Sequence, residues 1–220
     1  MLGGYYIALE YEMNYKAIIW DFGGVITSSP FEAFNKFELS NNLPKDIIRT
    51  INSENPDDNA WAKFERNDID LDEFDNLFSI EADKKGFKIS GKQVVKLLSG
   101  EIRKQMVDFL SFLKKDYKLG CITNNIQNSK NEKVNHLNEA GQVMKIFDHI
   151  IESSKVGLRK PDPKIYYMSC DALGVKPEEC IYLDDLGINL KPAREIGMTT
   201  IKVIDPNEAI NEVKKYLQLA

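Results

Sequence analysis

The second half of the chain alternates strand-like and helix-like segments, and this alternation restricts the possible folds more than any other feature. Four short apolar segments, LGCIT, IFDHIIES, CIYL and TTIKVI, are separated by segments with helical periodicity. A further apolar run, KAIIW at residues 16–20, lies near the start. Strands that alternate with helices pair in parallel through right-handed crossovers. The pattern therefore predicts an α/β fold with a doubly wound parallel sheet.

Residues 31–100 contain no convincing strand and predict a helical section inserted after the first strand. Ser29, Pro30 and Glu32 fit the start of a helix, with Ser29 as the cap and Glu32 bonded back to it. Another helix is predicted over residues 69–78, opened by Asp70 with Glu73 three positions later. We expect a core of residues 14–30 and 101–220, a helical section of residues 31–100, and an N-terminal extension of residues 1–13.

The charge balance gives no support for a nucleic-acid or membrane partner. The formal net charge is −5 at pH 7, and lysines are interspersed with acidic residues. No apolar run is long enough to cross a bilayer. The chain has 3 cysteines, and an odd number without paired spacing argues against a disulfide framework. We expect a cytoplasmic protein, and leave open whether it is a monomer or a homodimer.

Polar residues follow the predicted strands, at the edge of the sheet where this architecture gathers its ligand site. Asp21 comes directly after the run KAIIW. The later strands lead to a hydroxyl and an amide, to two lysines, and to a pair of acids: Thr123 and Asn124, Lys155 and Lys160, and Asp184 and Asp185. Because parallel strands end at the same edge, we expect these side chains to form one site.

Four segments, in order, resemble the motifs of the haloacid dehalogenase-like hydrolases: WDFGGV, CITNN, GLRKPDPKIY and YLDDLGIN. Most members of that family are Mg²⁺-dependent phosphatases. After Gly120 the chain is also similar to the N-terminal phosphatase domains of soluble epoxide hydrolases. The resemblance runs from Lys16 to about Asp205 and is weak in the helical section. It implies a Rossmann-like core and a helical cap that closes over the strand ends.

The resemblance also implies a role for each polar residue. Asp21 would attack phosphorus and form an aspartyl-phosphate that water then hydrolyses. Lys160 would neutralise charge on this carboxylate and on the phosphoryl group, whereas Lys155 would lie on the surface. The substrate would be bound by Thr123, Asn124, Gly24 and Lys160. Mg²⁺ would be held by Asp21, Asp185 and the carbonyl of Gly23. These metal ligands would be supported by Asp184 and Asn189.

The chain departs from the family pattern at Gly23. Most phosphatases of the family have a second aspartate here, which protonates the leaving group and later activates water. Its loss removes general acid–base help worth about 100- to 10,000-fold in rate. Three interpretations stay open: a substrate with a good leaving group, such as an anomeric sugar phosphate or an acyl phosphate; a proton donor elsewhere; or lost catalysis. Some sugar-1-phosphate phosphatases of the family are similar at this position.

We predict a Mg²⁺-dependent hydrolase of a small phosphorylated metabolite that acts through Asp21. The alternative from another class is a non-catalytic protein that binds such a metabolite. Within the family, dehalogenases and phosphonatases also lack the second acid. The pair of Asp184 and Asp185 argues against a dehalogenase, which needs no metal, and no motif marks the lysine that a phosphonatase requires in its cap.

Overall fold

The protein is described by a computed structural model, which describes residues 14–126 and 139–219. The predicted extension of residues 1–13 lies outside the described residues. So does the first part of the helix predicted over residues 129–144.

Within the described residues, five parallel strands form the predicted sheet. They are β1 (Ala17–Trp20), β2 (Lys118–Thr123), β3 (His149–Glu152), β4 (Cys180–Asp184) and β5 (Thr199–Lys202). The order across the sheet is β3-β2-β1-β4-β5. β1 is central and completely buried, which explains why its sequence is apolar without alternation. Helices on both faces make the sheet doubly wound, and the predicted fold class is confirmed.

The helices fall into two groups along the chain. Those between β1 and β2 are α1 (Pro30–Ser40), α2 (Ile47–Ser53), α3 (Ala60–Glu65), α4 (Leu71–Lys84), α5 (Gly91–Val95) and α6 (Lys104–Leu113). Those after β2 are α7 (Glu139–Met144), α8 (Ser153–Val156), α9 (Pro163–Leu173), α10 (Gly187–Glu195) and α11 (Pro206–Tyr216). Short 3₁₀ turns occur at Lys96–Leu98 and Pro177–Glu179. Among these helices of the described part, none combines the length and the apolar character that crossing a membrane would require.

The two faces of β1 pack into different apolar clusters. Ile18 and Trp20 lie with α6, and Ala17 and Ile19 lie with α9 on the opposite face. Strand residues point alternately to the two sides, so one short strand contributes to both layers. In register, Trp20 is level with Cys121 and Leu183. The strands next to β1 therefore end beside Asp21.

The helical section has an apolar cluster of its own, centred on α3 and α4. Phe64 and Phe74 stack with ring centroids 4.4 Å apart, and Phe78 packs beside them. Asp70 and Glu73 form the predicted capping box at the start of α4. The two connections to the core run together, because Thr27 and Ile102 form an antiparallel bridge. The division of the chain into core and helical section stays a prediction.

Candidate active site

Asp21 lies at the carboxyl edge of the sheet, immediately after the central strand. Its backbone N–H donates to the carbonyl of Leu183 at 2.8 Å, so β4 fixes its position. The loop then turns back, and the N–H groups of Ile26 and Thr27 both donate to the carbonyl of Phe22. The N–H of Phe22 donates to Asp21 Oδ1 at 2.7 Å. The carboxylate is buried and held in one orientation.

Lys160 is completely buried between two carboxylates. Its Nζ lies 2.8 Å from Asp21 Oδ1 and 2.9 Å from Asp184 Oδ2. Burial acts to lower the pKa of Lys160, but the charges of Asp184 and Asp21 raise it above the ordinary value for a lysine. The group is therefore an ammonium ion in direct contact with the predicted nucleophile.

Three carboxylates gather around this one ammonium. Oxygens of Asp21, Asp184 and Asp185 all lie within 4.8 Å of one another. Burial raises the pKa of Asp21, and burial together with the charge of Asp184 raises the pKa of Asp185 to about 6. When all three carboxylates are ionised, the negative charges exceed the positive charge by two, and hard oxygen ligands suit Mg²⁺. The donor set therefore fits a divalent cation.

Asp184 is already saturated with hydrogen bonds, which distinguishes it from the other two acids. It accepts from Lys160 Nζ, from the hydroxyl of Tyr182, from the N–H of Leu186 at 2.8 Å and from Asn189 Nδ2 at 3.1 Å. These donors take up its lone pairs and leave little capacity for a cation. The geometry favours Asp21 and Asp185 as direct ligands, with Asp184 and Asn189 as the supporting pair, and these roles stay predictions.

Asp185 packs closely against the loop that follows the nucleophile. A Cβ atom added to Gly24 would lie 2.2 Å from Asp185 Oδ2, and Gly24 has φ +77°. Only glycine meets both conditions without strain. Gly23 differs, because a Cβ atom there would have no heavy atom within 4 Å. The position of the missing second acid therefore has room for a side chain.

Ser29 does not cap α1 with its side chain, so this part of the sequence prediction is wrong. It precedes α1 as predicted, but its side chain makes no capping hydrogen bond, and its hydroxyl donates instead to Asp185 Oδ2 at 3.3 Å. The hydroxyl hydrogen is donated to a charged acceptor, and the Ser29 hydroxyl oxygen accepts from no backbone N–H of α1. The first helix of the helical section is therefore linked directly to a predicted metal ligand.

Thr123 ends β2 and Asn124 follows it, beside Lys160, but only one of the two side chains is available to a ligand. Thr123 as a residue is buried, and its hydroxyl makes no hydrogen bond to another residue of the described part. Asn124 Oδ1 accepts from the N–H of Lys160 at 2.9 Å, and its Nδ2 donates to the Lys160 carbonyl at 3.1 Å. Thr123 is thus free to bind a phosphate, whereas the amide of Asn124 holds the backbone of Lys160.

Tyr182 and Tyr166 are site residues that the sequence analysis missed. Tyr182 donates to Asp184, and burial raises its pKa, which keeps the hydroxyl protonated. Tyr166 donates to the carbonyl of Asn189 at 2.7 Å. The two-residue spacing of Tyr182 and Asp184 on one strand places them on the same face, so this contact could have been predicted. Lys155 is exposed and pairs with Glu152, as expected for a surface lysine.

Comparison with known proteins relates the chain to a family and to parts of larger proteins. The haloacid dehalogenase-like hydrolases match residues 15–197. Acyl-CoA dehydrogenase family member 10 of Mus musculus is 34% identical over 212 residues, which cover 93% of this chain and 19% of that protein. Bifunctional epoxide hydrolase 2 of Sus scrofa is 38% identical over 106 residues, 48% of this chain and 19% of that protein. The chain thus matches about a fifth of the length of these two relatives.

A shorter relative and two solved structures are also similar to the chain. Glyceraldehyde 3-phosphate phosphatase of Methanopyrus kandleri is 33% identical over 88 residues, 40% of this chain and 36% of that protein. A HAD-like family hydrolase from Porphyromonas gingivalis has a TM-score of 0.66 at 22% identity, covering 94% of this chain and all of that one. A HAD family enzyme of Bacteroides thetaiotaomicron, solved with magnesium and inorganic phosphate, has a TM-score of 0.59 at 23% identity, covering 86% and 93%. The two structures share the fold.

Proposed function

The chain belongs to the haloacid dehalogenase-like hydrolases, and from that premise we propose that it is a Mg²⁺-dependent phosphatase of a small phosphorylated metabolite. The observation that carries the proposal is the ammonium of Lys160, which contacts both Asp21 and Asp184 and leaves Asp185 beside them. Relatives that are named as phosphatases support the choice of reaction class. The magnesium complex of a solved relative supports the choice of metal.

The reaction would proceed in two displacements at phosphorus. In the first, a carboxylate oxygen of Asp21 forms a bond to phosphorus while the bond to the leaving oxygen breaks. In the second, water attacks the aspartyl-phosphate, releasing inorganic phosphate and restoring the carboxylate. Lys160 stays protonated and stabilises charge on the transferring group, and the hydroxyl of Thr123 donates to a phosphoryl oxygen. When bound by Asp21, Asp185 and the Gly23 carbonyl, Mg²⁺ would neutralise phosphate charge.

Gly23 suggests which substrates would be hydrolysed well. Without a carboxylic acid at this position, the leaving oxygen must depart without a proton from residue 23. Anomeric sugar phosphates and acyl phosphates have leaving groups that tolerate this. We therefore place the substrate among these esters and anhydrides. The helical section would close over the site as a cap and select the leaving group. A cytoplasmic location stays a prediction.

The test is phosphate release by the full chain from p-nitrophenyl phosphate and from a panel of sugar 1-phosphates, alkyl phosphates and acyl phosphates, with and without Mg²⁺. We expect turnover that requires Mg²⁺, favours good leaving groups and is abolished in Asp21→Asn. If no member of the panel is hydrolysed but phosphate esters still bind, the protein is instead the non-catalytic binder of phosphorylated metabolites.

Gly23 also favours a second candidate, because dehalogenases of this family lack the second acid as well. Such an enzyme would release halide from an L-2-haloalkanoate without a metal. Halide release that is unaffected by a metal chelator, together with no phosphate release, would establish this activity. The saturated Asp184 and the neighbouring Asp185 make the phosphatase the better-supported choice.

A further inference from the structure

Glu65 is a buried carboxylate in the helical section, yet its contacts lead to the edge of the sheet. It ends α3, and 8% of its surface is exposed. One oxygen, Oε1, accepts from Trp61 Nε1 at 2.9 Å within the helical section. The other, Oε2, accepts from Arg159 Nε at 2.6 Å and from Asn124 Nδ2 at 3.3 Å. Both of these donors belong to the core.

The two core donors of Glu65 are the residues that hold Lys160. Arg159 precedes Lys160 in the chain, and its Nη1 also donates to the carbonyl of Pro56 in the helical section at 3.0 Å. The side chain of Asn124 forms two hydrogen bonds with the backbone of Lys160, one with its N–H and one with its carbonyl. An amide side chain has only two N–H hydrogens. With one on Lys160 and one on Glu65, the orientation of Asn124 is fixed.

We propose that Glu65 is a positioning residue, which acts through Asn124 and Arg159 to hold Lys160 between Asp21 and Asp184. The ammonium is then in place only when α3 rests on the core. Glu65 is not the missing proton donor, because it receives three N–H donors and acts as an acceptor on both oxygens. Its effect on turnover rests on the proposed phosphatase function, whereas its effect on the Lys160 backbone does not.

The test compares Glu65→Gln with Glu81→Gln in the full chain. Glutamine at position 65 has one acceptor oxygen, so its NH₂ group must face either Trp61 or the two core donors. Glu81 is a matched control in α4, because its Oε1 accepts from the N–H of Ala60 at 2.8 Å, a contact within the helical section. Both changes remove a carboxylate charge from the helical section, and only Glu65→Gln weakens a contact to the core, because a neutral amide oxygen is a weaker acceptor than a carboxylate.

The first measurement is hydrogen–deuterium exchange, which does not depend on activity. We expect Glu65→Gln to increase exchange at residues 157–162, where the N–H of Lys160 is held by Asn124, and Glu81→Gln to leave this segment unchanged. Equal exchange at these residues in both variants and the wild type would overturn the proposal. The exchange result does not depend on whether the wild type hydrolyses phosphate esters. A failure of the proposed phosphatase function would be detected separately, in the assay of the wild type.

The second measurement is steady-state turnover of p-nitrophenyl phosphate with Mg²⁺. Glu65→Gln should lower kcat about 10-fold with little change in KM, since a misplaced group of this kind can cost up to about 100-fold. Glu81→Gln should keep the wild-type kcat. In an Asn124→Ala background, Glu65→Gln should cause a smaller loss than it does in the wild type, because only the contact through Arg159 then remains. Independent, multiplicative losses would indicate general destabilisation and contradict the proposal.

Discussion

Two adjacent glycines in the loop that follows β1 differ in the space available for a side chain. Gly23 has open space around the position of a Cβ atom, so Gly23→Asp should fold normally. We expect this variant to hydrolyse alkyl phosphates at least about 10-fold faster, because a carboxylic acid can then protonate a poor leaving group. Turnover of p-nitrophenyl phosphate should change little. The matched control is Gly23→Asn, which has the same shape but transfers no proton; equal rates for the two variants would count against the missing-acid explanation.

Gly24, in contrast, should tolerate no side chain. Gly24→Ala would place a Cβ atom 2.2 Å from Asp185 Oδ2 at a residue with φ +77°. The backbone conformation alone costs a non-glycine residue about 1–2 kcal/mol. Displacement of Asp185 adds to this cost and should also abolish activity. We expect the free energy of unfolding, measured in urea, to fall by more in Gly24→Ala than in the control variant Gly157→Ala.

The control for Gly24→Ala is Gly157→Ala. Gly157 has φ +67°, but a Cβ atom there would contact nothing within 4 Å. This variant therefore carries the conformational cost without the clash, and it should keep its phosphatase activity. If both variants lose the same stability and both stay active, the close approach of Asp185 to the loop is not a requirement of the site.

Among the secondary-structure elements, the strands were predictable and several short helices were not. All five strands coincide with apolar runs, because buried parallel strands need no alternation. The helices α2 and α3 were missed, since six or seven residues show too little periodicity. α8 is not predictable either, because the segment IFDHIIES indicates a strand that continues through Ser153, where the helix begins. The motifs predicted the convergence of Asp21 and Lys160, but Glu65 bonds a residue 94 positions away, and no local pattern indicates such a contact.

The carboxylate of Asp75 in α4 is hydrogen-bonded to the start of α5. Asp75 accepts from the hydroxyl of Ser90 at 2.6 Å and from the N–H of Lys92 at 3.0 Å, and these bonds lower its pKa below 3.8. A lowered pKa in the folded state stabilises the protein above pH 3.8, and this contribution is lost as the pH falls through the lowered value. Asp75→Asn should therefore cost about 1 kcal/mol at pH 7.

The loss of unfolding free energy caused by Asp75→Asn should become smaller as the pH falls below 3.8, because the wild-type carboxylate then also becomes protonated. Urea unfolding at pH 7 and at pH 3, followed by circular dichroism, measures the difference. Asp83→Asn is the control in the same helix, since Asp83 pairs at the surface with Lys88, and exposed pairs contribute little. A cost for Asp75→Asn that is equal at both pH values would show that the ionised carboxylate is not responsible.

For the molecule as a whole, one edge of the sheet carries both the chemistry and the attachment of the helical section. Asp21 follows β1, and the chain enters the helical section only a few residues later and returns beside the bridge of Thr27 and Ile102. Arg103, on the returning connection, donates to the carbonyl of Gly24 at 2.6 Å. A movement of the helical section therefore acts on the loop that contains Gly23 and Gly24. In the proposed function, the position of the insertion in the sequence would couple closure of the helical section to the site.

We expect the cluster of carboxylates to make the stability of the whole fold depend on a divalent cation. Asp21, Asp184 and Asp185 repel one another, and Lys160 neutralises only part of their charge. A cation that binds the folded state alone stabilises it by about 2.7 kcal/mol at a free concentration 100 times its Kd. We expect MgCl₂ to raise the Tm of the full chain, and NaCl at equal ionic strength to have a smaller effect. Asp185→Asn should abolish the difference between the two salts. A Tm that responds equally to both salts in the wild type, or a Mg²⁺ effect retained in Asp185→Asn, would contradict this assignment of the metal site.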